Sequence, residues 1–199
     1  MTSAVSPIGE RIHVPSKDAT AVALPTTMPV SPTRQQRPAF VKHQKDNQEQ
    51  PMHPLYRYAY VTDRYEGLIV VDVETLADGD PDNNFLKRAT TFNPNGILAG
   101  ARNITIAGIY AYISCDQGLV IVSIDDPLQP KVVAKVGAPT LDSPTVVAVQ
   151  FRYAFVLDAK GLKVLDITIP NRPERVAALA LADARDVYVA RGYAYEIGR

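Results

Sequence analysis

A short acidic segment holds the side chains best suited to bind a metal ion. It runs ADGDPDNNF, and its alternating oxygen-bearing side chains are Asp78, Asp80, Asp82 and Asn84. Ca²⁺ in proteins prefers carboxylate and amide oxygens. The segment departs from an EF-hand loop, because its sixth position is asparagine rather than glycine and its twelfth is alanine rather than glutamate. Two interpretations follow: a calcium site built by these four residues, or a solvated insertion loop rich in turn-forming residues.

Five other aspartates recur near the ends of apolar segments. Asp72 and Asp166 end such segments, whereas Asp63, Asp116 and Asp158 begin short loops. In a repeated structure they would gather at one end and form a ring of carboxylates. Alternatively, each would cap its own turn by accepting backbone N–H groups.

The groups that usually act as nucleophiles and general bases are scarce. Cys115 is the one cysteine, so no internal disulfide forms, and neither neighbour in the chain is basic. All three histidines lie within the first 53 residues, outside the part of the chain expected to fold. Histidine is the commonest general base and metal ligand. We therefore expect no catalytic residue and no cofactor-binding residue, calcium being the single cofactor that the sequence raises.

The overall charge and hydropathy argue against nucleic-acid binding and against a membrane-spanning helix. The chain has 21 lysine and arginine residues and 21 aspartate and glutamate residues. Sequence-independent electrostatic binding of nucleic acid requires an excess of basic residues. No run approaches the roughly 20 apolar residues of a membrane-spanning helix. We expect no nucleic acid and no membrane span.

The first 54 residues differ from the rest of the chain in composition and in the pattern of apolar residues. They contain half of the sixteen prolines, and their few apolar residues follow no period. Because proline removes backbone donors and blocks helix growth, residues 1–54 are predicted to be a flexible, Pro-rich tail or linker. An alternative is an extended strap anchored on the folded body by Ile12–Val14 or Phe40–Val41.

From residue 55 onward one sequence motif is repeated. Each copy begins with Tyr-Ala-aromatic, and the first three continue through a Gly-Leu pair into an apolar strand. The copies are YAYVTDRYEGLIVVDV (58–73), YAYISCDQGLVIVSI (110–124), YAFVLDAKGLKVLDI (153–167) and YAYEIGR (193–199). A period of about 40–45 residues with up to four strands per unit is typical of a β-propeller blade.

The residues of the repeat agree with an all-β propeller fold. The Gly-Leu strand is apolar on both faces, as in a sheet stacked between two neighbours. The alternation of large and small residues in the Tyr-Ala strand suits packing between splayed sheets. The glycines at 67, 118 and 161 fall in tight loops where positive φ is commonly needed. A β-sandwich also has many short strands, but it does not account for the repeat.

The units lie near residues 55–98, 99–141, 142–182 and 183–199, the last one partial. The first lacks an obvious opening strand, so we count about three blades in an incomplete or open propeller. An open arc exposes apolar faces and strand edges at both ends. We therefore expect either a fragment of a longer chain, completed by further blades, or several chains that self-associate into a ring.

The third-strand phrases LIVVD (68–72), LVIVS (119–123) and LKVLD (162–166) resemble the LVIVD-repeat family. The resemblance covers about residues 55–199 and departs from the pattern at Ser123, which replaces an aspartate. It implies a β-propeller of a kind typically found on or outside bacterial and archaeal membranes, with mostly unassigned functions. The N-terminus, as written, is not a signal peptide, so the resemblance implies a periplasmic or cell-surface location that the chain itself leaves open.

These observations favour a non-enzymatic protein-binding or scaffolding module, part of a larger surface or periplasmic protein. Rigid blades would present variable loops, including residues 77–96, to a protein partner. One alternative is an accessory subunit of an enzyme or redox complex whose active residues lie outside this chain. Another is a surface protein stabilised by calcium.

Overall fold

The computed structural model describes residues 13–25, 53–76, 85–190 and 193–198. Within these ranges the chain forms β-strands and short 3₁₀ turns, and no α-helix. The all-β prediction is therefore confirmed. The strands are β1 (Ala19–Ala23), β2 (Tyr58–Asp63), β3 (Gly67–Asp72), β4 (Lys87–Phe92), β5 (Asn103–Ala107), β6 (Tyr110–Cys115), β7 (Gly118–Ser123), β8 (Lys131–Val136), β9 (Val146–Gln150), β10 (Tyr153–Asp158), β11 (Gly161–Asp166), β12 (Glu174–Leu179), β13 (Asp186–Ala190) and β14 (Tyr193–Ile197).

The strands form four antiparallel sheets, each following chain order. Three sheets have four strands and are called blade 1 (β1–β4), blade 2 (β5–β8) and blade 3 (β9–β12). Blade 4 consists of β13 and β14. The blade count is thus four rather than about three, because the first unit is complete and a partial sheet follows the third.

The blades succeed one another through their first strands, with β1 beside β5, β5 beside β9 and β9 beside β13. Polar side chains join these strands. The Thr105 hydroxyl donates to the Val147 carbonyl oxygen at 2.7 Å, and the Val147 N–H donates to Asn103 Oδ1 at 3.0 Å. The Thr20 hydroxyl donates to the Ala101 carbonyl oxygen at 3.0 Å. This succession is that of an open, propeller-like arrangement.

The opening strand of blade 1 comes from the segment expected to be a flexible tail. Residues 19–23 pair antiparallel with β2, which corrects that expectation for this part of the chain. Val14 packs against Ala59, Ile69 and Val71, as the strap alternative anticipated for one of its anchors. Phe40–Val41, the other proposed anchor, lies outside the described residues. The sequence did not predict β1, because this strand depends on pairing with β2 and its own alanine-rich sequence does not favour a strand.

The alternation of large and small residues explains how neighbouring blades approach one another. Tyr60 of blade 1 and Ala111 of blade 2 share one buried cluster. Tyr112 of blade 2 and Ala154 of blade 3 share the next. The aromatic ring of each blade therefore faces the following blade, and the small alanine leaves room for the ring of the preceding one.

The glycines that begin the third strands have the predicted backbone conformation. Gly67, Gly118 and Gly161 have φ of 81°, 117° and 113°. A Cβ atom at Gly118 would lie 2.2 Å from the carbonyl oxygen of Val136 on the fourth strand. Glycine is therefore required at this turn both for its conformation and for the close approach of that strand.

Candidate functional site

The Asp63 carboxylate serves a turn rather than an open site. It accepts hydrogen bonds from the backbone N–H groups of Tyr65 and Glu66, both at 2.8 Å. It also accepts from the Asp18 N–H at 2.7 Å and from the Ser16 hydroxyl, both in the N-terminal segment. Burial alone would raise the pKa of this carboxyl, but the four donors outweigh burial and hold the pKa well below its usual range.

The aspartates at the ends of the third strands cap turns in the same way. Asp72 accepts from the Glu74 N–H at 3.0 Å, and Asp166 accepts from the Thr168 N–H at 2.9 Å. The turn-capping interpretation of these aspartates is confirmed. A ring of carboxylates free to bind a ligand is not required to explain them.

Asp158 of blade 3 is equivalent to Asp63 and has a buried cation as its partner. The Lys163 ammonium lies 2.7 Å from Asp158 Oδ1, and both side chains are at least nine-tenths buried. The N–H groups of Lys160 and Asp142 also donate to this carboxylate. Burial would raise the pKa of Asp158, but these donors together lower it. The pair closes a turn and leaves no unpaired charge for chemistry.

Cys115 occupies the equivalent position in blade 2 and is fully buried. Its Sγ lies 3.4 Å from the carbonyl oxygens of Ile97 and Gly118. Burial raises the pKa of this thiol. A buried thiol with a raised pKa is a structural residue rather than a nucleophile.

His53 lies inside the folded body, although all histidines were expected to lie outside it. Its side chain is buried, and Nδ1 accepts a hydrogen bond from the Leu55 N–H at 3.2 Å. Nε2 lies 2.8 Å from Oδ1 of Asp125, which follows β7 by two residues. Because Nδ1 accepts, the proton is on Nε2 and is donated to the aspartate. His53 therefore ties blade 1 to blade 2.

The predicted calcium ligands Asp78, Asp80, Asp82 and Asn84 lie outside the described residues. Among the residues that are described, no group of three or more histidine, cysteine, aspartate or glutamate side chains is placed to hold a metal ion. The calcium site remains a prediction from the sequence.

Blade 4 exposes a group of large apolar side chains to solvent. Tyr188, Tyr193, Tyr195 and Ile197 are each more than half exposed, and we call their surface the open surface. By contrast, Tyr60, which is equivalent to Tyr195, is fully buried. The rings of Tyr193 and Tyr195 lie 6.4 Å apart, and those of Tyr188 and Tyr195 lie 6.5 Å apart. The aromatic groups therefore form one continuous patch.

A cavity of about 400 Å³ lies on the face of blade 3 that is turned toward blade 4. It is largely apolar, and Phe151 at its mouth is 89 % exposed. Phe155 belongs to the cluster that packs on β13, so β13 covers one side of the face and the cavity marks the uncovered side. The lining residues are Gln150, Phe151, Tyr153, Phe155, Val164 and Val176.

One charged side chain interrupts the apolar pattern of β14 on the face opposite to the open surface, because Glu196 pairs with Val187 whereas Tyr195 pairs with Tyr188. Glu196 stands three residues after Tyr193, where the other copies have Val61, Ile113 and Val156. The tyrosines were predicted to pack between blades, whereas the prediction that an open arc exposes an apolar face at its end applies to the open surface. A glutamate at a position that is apolar in the other copies indicates a different neighbour for that face of β14.

Comparison with protein families agrees with the repeat seen in the structure. A family model for the LVIVD repeat matches residues 57–81, 100–137 and 145–176. The chain belongs to the LVIVD-repeat family. The three matched LVIVD repeats fall on blades 1, 2 and 3, and each includes the second and third strands of its blade. A search of curated proteins found no match to the chain.

In residues 13–25, 53–76, 85–190 and 193–198, no helix is long and apolar enough to cross a bilayer.

Proposed function

We propose that this LVIVD-repeat protein is a non-enzymatic protein-binding or scaffolding module. The observation that supports the proposal is the open surface of blade 4, where three tyrosines and an isoleucine are exposed together. Contiguous apolar patches on folded proteins mark interaction sites. Tyrosine is enriched at such sites because it combines a large apolar ring with a polar hydroxyl.

The non-enzymatic part of the proposal is supported by the roles of the reactive side chains. His53 bridges two blades, and Cys115 is buried against backbone carbonyl groups. Asp158 and Lys163 neutralise each other in the core of blade 3. Each of these groups has a structural partner that explains its presence.

A site-specific photo-crosslinker tests the binding role. We expect a crosslinker that replaces Tyr195 in the full chain to capture a protein from the native source, and mass spectrometry to identify it. The same group in place of Glu74, an exposed residue on blade 1, is the matched control. Binding of the purified partner should weaken about ten-fold or more on the Tyr195→Ser substitution.

Two results would count against the proposal. Equal capture from positions 195 and 74 would show that the open surface is not the binding site. Specific turnover of a substrate by the purified chain would overturn the non-enzymatic assignment.

A further inference from the structure

The turns that follow the second strands share one backbone contact in blades 1, 2 and 3. In each blade, the first residue of the turn donates its N–H to a carbonyl oxygen in the segment that leads into the first strand. The pairs are Arg64 with Asp18, Asp116 with Ala99, and Ala159 with Asp142, at 3.0, 3.1 and 2.9 Å. Asp18, Ala99 and Asp142 are therefore equivalent positions, and two of the three are aspartates.

In blades 1 and 3 these aspartates pair with a cation of the turn. Asp18 Oδ2 lies 3.0 Å from Arg64 Nε, and Asp142 Oδ2 lies 3.1 Å from the Lys160 ammonium. In blade 2 the equivalent residue is Ala99, which supplies no carboxylate. Blade 2 therefore has no acceptor at the position where its two neighbours have one.

Blade 2 nevertheless has a cation close to this position. The Arg102 side chain pairs with Asp116 through Nη2. Its Nη1 atom is shielded from solvent and has no hydrogen-bond partner among the described residues. Because a buried donor without an acceptor destabilises the folded state, the guanidinium would gain from a further acceptor.

A cavity of about 430 Å³ lies beside this guanidinium, where blades 1 and 2 meet, and we call it the junction cavity. Its lining residues are Arg64, Tyr65, Ala99, Gly100, Arg102 and Asp116. The two arginines come from different blades and border the same space. Since a guanidinium has five N–H donors, each arginine has donors beyond those that its aspartate uses.

We propose that the junction cavity binds a carboxylate group, held by Arg102 and Arg64. The ligand supplies to blade 2 the acceptor that Asp18 and Asp142 supply within blades 1 and 3. Arginine suits this role because its planar fork of donors matches the two oxygens of a carboxylate. The carboxylate belongs either to a free polycarboxylic acid or to an acidic side chain of a protein.

Citrate is the probe for a free acid. Isothermal titration calorimetry of the full chain should show saturable binding of citrate and no binding of its uncharged triethyl ester. Arg102→Gln should weaken citrate binding about ten-fold or more, because a charge-assisted contact is lost. Arg172→Gln is the matched control: it removes an exposed arginine between the third and fourth strands of blade 3 and should leave the affinity unchanged.

Ala99→Asp separates binding from a merely structural role of the arginine. This variant gives blade 2 the carboxylate that blades 1 and 3 have at the equivalent position. It should stay folded, as judged by circular dichroism, and lose citrate binding, because its own carboxylate would compete for the guanidinium. A triglutamate peptide distinguishes the two sources of the ligand: tighter binding than citrate indicates an acidic protein segment, and weaker binding indicates a free acid.

Three results would overturn the carboxylate site: absence of saturable binding of both citrate and the peptide, equal binding of the triethyl ester, or citrate affinity that Arg102→Gln and Ala99→Asp leave unchanged. The junction cavity is separate from the open surface of blade 4. Its failure would therefore leave the protein-binding proposal standing, and the crosslinking experiment at position 195 tests that proposal independently.

Discussion

At the residue scale, equivalent positions in the three LVIVD repeats are stabilised in different ways. Asp63, Cys115 and Asp158 all end the second strand of a blade. Asp63 receives its additional donors from Ser16 and Asp18 of the N-terminal segment. The repeat thus fixes the turn, while the neighbouring chain determines which side chain can be buried there.

The pH dependence of stability tests the role of Asp63. The pKa of this carboxyl is lower in the folded state than its unfolded value of about 3.9. Its stabilising contribution is therefore fully present above that value and is lost as the pH falls through the folded pKa. Asp63→Asn should lower the free energy of unfolding by about 2 kcal/mol at pH 7 and reduce its loss below pH 4, measured by urea denaturation.

The control for this prediction is Asp126→Asn, which changes an exposed turn aspartate on blade 2. Its free energy of unfolding should follow the pH dependence of the native chain. An Asp63→Asn chain with an unchanged pH profile would contradict the role assigned to the carboxylate.

The buried pair of blade 3 should respond asymmetrically to substitution. Asp158→Asn leaves the Lys163 ammonium buried without a counter-charge and should cost about 3 kcal/mol. Lys163→Ile recreates the residue of blade 1, Ile69, while Asp158 keeps its two backbone donors. This second variant should lose less than half as much stability in thermal and urea unfolding. Equal losses would show that the lysine is as essential as the aspartate.

At the element scale, the third strand is the central part of each blade because it is covered on both faces. In blade 2, Val120 and Val122 pack toward blade 1, whereas Leu119 and Ile121 pack toward blade 3. Burial of each such side chain contributes about 1.5–3 kcal/mol. The continuous apolar run in the sequence follows directly from this double coverage.

The turn before this strand gives a test with a built-in control. Gly118→Ala introduces a side chain at φ 117° that would meet the Val136 carbonyl oxygen. We expect a loss of about 2–3 kcal/mol in the free energy of unfolding, measured by urea denaturation. Gly96→Ala also has positive φ, but no atom lies within 4 Å of the added carbon, so its loss should be nearer 1 kcal/mol. Equal losses would exclude the contact with the fourth strand as the cause.

At the scale of the whole molecule, coverage by neighbours decreases toward blade 4. Strands β6 and β7 are almost entirely buried, whereas every residue of β14 is exposed. In repeat proteins each unit is stabilised mainly by its neighbours. Local stability should therefore be highest in blade 2 and lowest in blade 4.

Hydrogen exchange measured by mass spectrometry checks this gradient. Amides of β6 and β7 should exchange most slowly, and those of β13 and β14 should exchange fastest, because local opening of blade 4 exposes little additional apolar surface. Uniform protection across the four sheets would contradict the gradient.

The periodic sequence was sufficient to predict the second and third strands of blades 1 to 3, the glycine turns and the capping aspartates. Residues 77–96 were predicted to be a variable loop, but β4 (Lys87–Phe92) lies within them, which corrects that expectation. Each depends on contacts within one repeat, such as the positive φ at Gly118 or the turn closed by Asp72. Local backbone sterics and hydrogen bonds determine such features, and they recur wherever the phrase recurs.

Three other features were decided by tertiary structure. Residues 19–23 became a strand because the edge of β2 was available to them across a long stretch of chain. His53 became an internal bridge because blade 2 brings Asp125 within 2.8 Å. Tyr195 is exposed although Tyr60 is buried, because no described strand or following blade covers it. The burial of a residue depends on which strand or blade covers it, and a repeated sequence motif does not determine that neighbour.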